Sequence, residues 1–273
     1  MPSIASSATS VLIAHVAAHT DRIRLGAGGI MLPNHSPLTI AEQFGTLAEL
    51  HPGRIDLGLG RAPGSDQVTQ WALRRDPSAA ERFPHDVLEL HGYLTGQTRV
   101  PGVDAMPGKG TDVPLYILGS SLFGASLAAA LGLPFAFASH FAPDALEPAV
   151  DLYRRDFQPS TQLDEPYVIA GVNVVAADTA AVAEAHLLHA QRRRTARFVA
   201  RGQTLTDDEA DALLESRAGR QVLHMMQYTA VGEPHAVKRY LDDFAKRSSA
   251  DELMVTLMSP TLEHRLRSAT LLV

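Results

Sequence analysis

The chain has 273 residues, 45% of them hydrophobic, with 24 basic against 30 acidic side chains and no cysteine. A formal charge of −6 removes the general attraction to phosphate backbones and anionic bilayers, so neither nucleic acid nor membrane is an expected partner. Without cysteine there is no disulfide, thiolate nucleophile or thiolate metal site, so redox chemistry would have to come from a bound cofactor. The first 22 residues carry no charge before Asp21 and lack the basic start of a signal peptide, which makes a cytoplasmic protein the expectation.

In chain order, residues Ile4 to Ala18 are predicted as a helix, and Arg22 to Met31 (RIRLGAGGIM) as a strand. Ser36 to Leu50 follows as a helix, with Pro37 suited to its first turn and Pro52-Gly53 just past its end. Arg54 to Gly60 (RIDLGLG) is a short alternating strand, followed by helical segments at Ser65 to Arg75 and Ser78 to Thr95 and a Pro/Gly-rich loop from Val100 to Val113. Val113 to Pro143 has no Asp, Glu, Lys or Arg and is long enough to span a bilayer, but Gly132, Pro134 and four serines break it up. A strand at Pro114 to Gly119, a helix at Ser121 to Leu131 and a strand at Pro134 to Ser139 fit better. Strands at Tyr167 to Ala176 and Glu252 to Met258 complete the set; Thr179 to Arg201, Thr206 to Tyr228 and Pro234 to Lys246 are predicted helices between them.

Strands joined by single helices describe a parallel α/β sheet. Six strands are visible, whereas a closed (β/α)8 barrel has eight. Ligand chemistry in such sheets sits at the C-terminal ends of the strands. At those ends the sequence offers a small-residue run, Gly26 to Gly29, leading into Asn34-His35; one arginine, Arg61, in GRAPG; and Ser120-Ser121 at the start of an uncharged helix. An arginine and free helix amides both suit a phosphate. GxGxxG, Walker A and GxSxG sequences are absent. The pairs His15/His19 and His186/His189 lack the glutamate of a zinc motif, so no metal site is expected, and Arg192-Arg193-Arg194 is taken as a solvated helix face.

The segment LGAGGIMLPNHSPLTIAEQFGTLAELHPGRIDLGLGRAPGSD resembles the third-to-fourth-strand signature of the bacterial luciferase-like flavin-dependent monooxygenases, in particular their short single-component members. PLYILGSSLFGASLAAALGLPFAFASHFAP, VGEPHAVKRYLDDF and ADELMVTLM are similar to later parts of that family, so the likeness runs through most of the chain and is weakest at about 177–225. The resemblance implies a TIM-type (β/α)8 barrel occupying 1–273 as a single domain, with a helical insertion at about 177–232. Family members carry two further strands before the segment that starts here at Met1, so an incomplete barrel lacking the first two strands is expected. The implied activity is oxidation of a small organic substrate with reduced FMN and O2, by a homodimer served by a flavin reductase. F420-dependent hydride transfer and a non-catalytic flavin-binding subunit are the alternatives. Carried over by position, Gly28 and Gly29 would form a non-prolyl cis peptide beside the flavin ring, Arg61 would hold the phosphate together with the Ser120-Ser121 turn, and His35 and His140 would line the reaction pocket. The loop at 100–113 and the 177–225 helices are expected to cover the mouth.

Overall fold

The computed structural model describes residues 5–62, 67–74, 76–200 and 203–273. Its elements are α1 (Thr9–Ala18), β1 (Leu25–Met31), α2 (Pro37–Leu50), β2 (Ile55–Gly60), α3 (Gln67–Ala72), α4 (Phe83–Thr95), β3 (Leu115–Gly119), α5 (Leu122–Leu131), β4 (Phe135–Phe137), α6 (Leu146–Asp156), β5 (Val168–Ala176), α7 (Ala180–Val199), α8 (Asp207–Glu215), α9 (Arg217–Met225), β6 (Thr229–Gly232), α10 (Pro234–Arg247), β7 (Glu252–Leu257) and α11 (Leu262–Thr270). All pairings described below are parallel. Ile4, Pro63 to Ser65, Arg75 and Arg201, which the sequence reading used, lie outside the described residues.

Contacts divide the chain into two compact units. The first, residues 1–119, 123–135 and 156–166, holds β1, β2 and β3 side by side in chain order. α2 starts with Pro37 in its first turn and turns Ile40, Ala41, Phe44 and Leu47 inward, the i, i+4, i+7 spacing of one buried stripe. β1 does not run straight. Ala27 pairs with Leu57 but Ile30 pairs with Leu59, so Gly28 and Gly29 form a one-residue bulge in the ladder. Opposite it, a Cβ on Gly58 would stand 2.2 Å from the carbonyl oxygen of Ala27, which is why a residue without a side chain occupies that position.

The segment between α4 and β3 is irregular, as expected, but does not cover the mouth. It connects a helix to the start of the next strand, and such connections lie at the opposite end from the strand-to-helix loops. It is pressed onto α2: a Cβ on Gly45 would fall 2.2 Å from Gly108 Cα, and Ala105 is fully buried.

The second unit, residues 120–122, 136–155 and 167–273, is organised by β5, whose nine residues are all buried, as for a parallel strand covered on both faces. β5 serves two strands from opposite edges. Its odd-numbered backbone groups face β6, with Asn173 N donating to Tyr228 O and Ala177 N to Gly232 O. Its even-numbered groups face β7, with Asp251 N donating to Val168 O and Met258 N to Val174 O. Side chains alternate between faces in the same way. Val174 and Ala176 pack with Val237 of α10, whereas Val175 and Ala177 pack with Ala183 and Leu187 of α7.

The six strands expected become seven among the described residues, because β6, four residues long, follows directly on a helix. The single helix expected at 206–228 is two, α8 and α9, divided at Ser216, whose hydroxyl accepts from Gly219 N and caps the second. α6 and α11 were not predicted. No described helix is long and apolar enough to cross a membrane, and the uncharged 113–143 stretch divides into β3, α5 and β4.

Candidate active site

The bulge in β1 opens a cavity of about 280 Å³ in the first unit. Its walls are the Gly28–Met31 stretch, Asn34 and His35 beyond the strand, and Ser6, Ser7 and Thr9 at the start of α1. The Gly28-Gly29 peptide is cis, as the resemblance implied. The two glycines face different surroundings. A Cβ on Gly29 would meet Gly58 O at 2.7 Å and Leu118 Cδ2 at 3.2 Å, whereas one on Gly28 would meet nothing within 4 Å. Gly29 is thus bare because the strands are tight, and Gly28 leaves bare backbone against open space.

Arg61 follows the last residue of β2, which pairs with Leu118 of β3. It is exposed, and its guanidinium lies over the Phe123 ring of α5 at 4.0 Å from the centroid. An arginine stacked this way keeps its N–H edge available. Ser120 and Ser121, both exposed, join β3 to α5. That turn is tight, since Gly119 and Gly124 approach so closely that a Cβ on either would stand 3.3 to 3.4 Å from the other's Cα.

His140 belongs to the second unit and lies away from the cavity wall residues in the chain. After β4, Ser139 Oγ donates to Gly171 O at 2.6 Å, and the His140 ring takes the space that a side chain on Gly171 would fill, where a Cβ would lie 2.2 Å from Nδ1. The ring stands edge-on to Phe141, 4.8 Å between centroids. Burial, reinforced by the positive charge of Arg194, pushes the imidazole down to about 4, so it is neutral at physiological pH. Its buried Nδ1 has no hydrogen-bond partner. Asn173, fully buried two residues along β5 from Gly171, donates from Nδ2 to His140 O at 2.8 Å, and its Oδ1 is unpartnered.

The Arg192–Arg194 run is not one solvated face. Arg192 makes a two-pronged pair with Asp211 at 2.6 and 2.7 Å and reaches Asp207 at 2.6 Å; Arg193 is exposed; Arg194 is half-buried. The sequence held the signal in its spacing, because Ala183, Leu187, Ala190 and Arg194 form an i, i+4, i+7, i+11 stripe whose first two members pack on β5. Two other groups escaped sequence reading. His85, Asp86 and Glu89 gather on the first turns of α4 with ligand atoms within 4.8 Å of one another, His85 being exposed, and the His186 and His264 rings meet at 4.4 Å.

The strand pairings make this a parallel α/β fold with a cavity beside the bulge in β1. Comparison with known proteins makes this specific. The luciferase-like monooxygenase family matches residues 1–252. The chain is 48% identical over 263 residues to a luciferase-like monooxygenase of Escherichia coli K12, covering 93% of this chain and 77% of that one. It is 50% identical to YvbT of Bacillus subtilis 168 over 97% of this chain and 80% of the relative. The crystal structure of apo-MsnO8 superposes with a TM-score of 0.82 at 35% identity, covering 96% of this chain and 80% of the other. The chain belongs to the luciferase-like monooxygenase family, a family of oxidoreductases, and has its α/β fold.

Proposed function

We propose that the chain is a flavin-dependent monooxygenase that uses reduced FMN and O2 to oxidise a small organic substrate. The observation that carries the reading is the open side of Gly28: a backbone stripped of side chains, facing a cavity, is what a flat ring system needs to lie against it. Two further features support it. Arg61 offers a stacked guanidinium for a phosphate. The turn after β3, with Ser120 and Ser121, offers backbone amides and hydroxyls at the start of α5.

When bound, reduced FMN would supply the electrons that activate O2, one oxygen atom passing to the substrate and the other leaving as water. The chain's own groups would do the rest. Gly28 would admit the ring, and Arg61 and the Ser120-Ser121 turn would hold the phosphate. His35 would present its imidazole inside the cavity. His140, its Nδ1 buried against Gly171, would be a neutral imidazole at physiological pH. The same reading has the enzyme working as a homodimer supplied by a separate flavin reductase.

F420-dependent hydride transfer is the second reading. Proteins of the same fold include the oxygenating component of a Pseudomonas putida Baeyer–Villiger monooxygenase in complex with FMN and an F420-dependent secondary alcohol dehydrogenase. Titration of the purified chain with FMN, reduced FMN, riboflavin and F420 separates the two. FMN should bind saturably, and Arg61→Ala should weaken it by ~1.5–3 kcal/mol, about ten- to a hundredfold, while leaving riboflavin unaffected because it lacks the phosphate. Tighter binding of F420 than of either FMN form would replace the first reading with the second.

A further inference from the structure

The cluster His85, Asp86 and Glu89 takes no part in the flavin site proposed above. All three sit on the first turns of α4 at i, i+1 and i+4, so the helix itself fixes their spacing. His85 Nδ1 stands 3.9 Å from an Asp86 oxygen and 4.0 Å from a Glu89 oxygen, and the three donor atoms all lie within 4.8 Å of one another. Their exposure is unequal. The side chains of Asp86 and Glu89 are only 13% and 19% exposed, whereas the imidazole is 67% exposed. The hydroxyl of the buried Tyr93 donates to Glu89 and holds that carboxylate in place.

Two carboxylates so close and so covered call for a positive charge, because buried charges are otherwise uncompensated. Among the described residues neither has a lysine or arginine within 4.0 Å, and Arg82, one turn away, stands 3.9 Å from Asp76 instead. Burial pushes the Asp86 carboxyl up; Arg82 opposes that shift and Glu89 adds to it.

We propose that His85, Asp86 and Glu89 form a binding site for a divalent transition-metal ion of the zinc type, held by one imidazole nitrogen and two carboxylate oxygens. A point central to donor atoms so spaced is no more than about 2.8 Å from each, so side-chain shifts of under about 1 Å reach the ~2.0–2.2 Å of zinc–nitrogen and zinc–oxygen bonds. The ion supplies the missing charge. Three protein donors leave its remaining positions to water or an anionic oxygen ligand, on the side where His85 meets solvent. The nitrogen donor selects against magnesium and calcium, which take oxygen shells. α4 also packs on the turn Leu32–Asn34, and Asn34 lines the cavity beside Gly28, so the ion would brace a helix in contact with one wall of that cavity.

The test uses the full chain stripped of metal with a chelator, with Co2+ as a paramagnetic stand-in for Zn2+. Histidine ring resonances are followed by NMR, and the His85 signals are identified by their loss in His85→Gln. Co2+ should perturb them at lower concentration than those of the other histidines, and Zn2+ should displace it. In calorimetric titration His85→Gln and Glu89→Gln should each weaken Zn2+ binding about tenfold or more, the second while keeping an acceptor for Tyr93. His15→Gln and His186→Gln, in the histidine pairs elsewhere on the chain, should change nothing, and Mg2+ in about tenfold excess should not compete. No saturable binding by the folded chain, unaltered affinity in His85→Gln or Glu89→Gln, loss of binding in His15→Gln or His186→Gln, or displacement by Mg2+ would each overturn the assignment. The outcome is independent of FMN binding, so a failed flavin titration leaves the metal site standing.

Discussion

The opening beside Gly28 and the polar face of β5 are built by opposite means. In the first unit side chains are left out, so that a bulged strand shows bare backbone to a cavity. In the second, polar side chains are buried with part of their hydrogen-bonding capacity unused. The contrast teaches that making room for a ligand and recognising one need different materials. A ring asks for space that any small residue can give. A choice among substrates asks for groups that are unsatisfied until the right partner arrives.

Substitutions can break this contrast. Gly58→Ala should have the largest effect, about 3 kcal/mol or more of lost stability in urea unfolding, because the new Cβ meets the carbonyl of Ala27, a backbone atom that cannot turn aside. A wild-type unfolding midpoint would mean that the bulge opposite is absent. Gly171→Ala should lose ~1–3 kcal/mol, since there the obstacle is a side chain; adding His140→Ala should recover part of the loss, and simple additivity would deny the contact.

Arg194→Met should act in the other direction, stabilising the fold by about 1 kcal/mol in the absence of ligand, since it removes an unpaired, partly desolvated charge at similar volume. A clear loss of stability would show that Arg194 is a structural residue. Acid sharpens the same side. His140 is neutral in the fold down to about pH 4 but takes a proton near 6.5 when unfolded, so the unfolded chain binds more protons between those values. Stability should therefore fall as pH drops from 6.5 towards 4, and His140→Gln should flatten that slope. Parallel slopes for the two proteins would contradict the burial of the ring. Smallest of all, Gly28→Ala should shift stability by less than about 0.5 kcal/mol while weakening FMN binding, because its Cβ enters open space. Unaltered FMN affinity in that variant would move the ring elsewhere.

Much of the first unit was legible in the sequence. Its strands are short apolar runs punctuated by Gly and Pro, and the likeness to a known family rests on that same stretch, with Gly28, Gly29 and Arg61 inside it. β6 was missed because TAVG is too short to show a period and follows α9 within four residues. The break at Ser216 was missed because neither Pro nor Gly marks it; a serine that caps one helix while ending another looks like any helical serine. Arg194 was misjudged for a different reason. Three consecutive arginines have identical chemistry, and only their angular position on α7 decides that one pairs with α8, one meets water and one turns inward. The 3.6-residue stripe contained that information, but composition did not.

The two-sided bonding of β5 also makes it an internal gauge of local opening. Along this strand, alternate amides report on different neighbours: Asn173, Val175 and Ala177 exchange their protons with solvent when β6 leaves, and Ala170, Val172 and Val174 when β7 does. Deuterium uptake resolved to single residues would thus read, from six amides between Ala170 and Ala177, whether β6 loosens independently of β7.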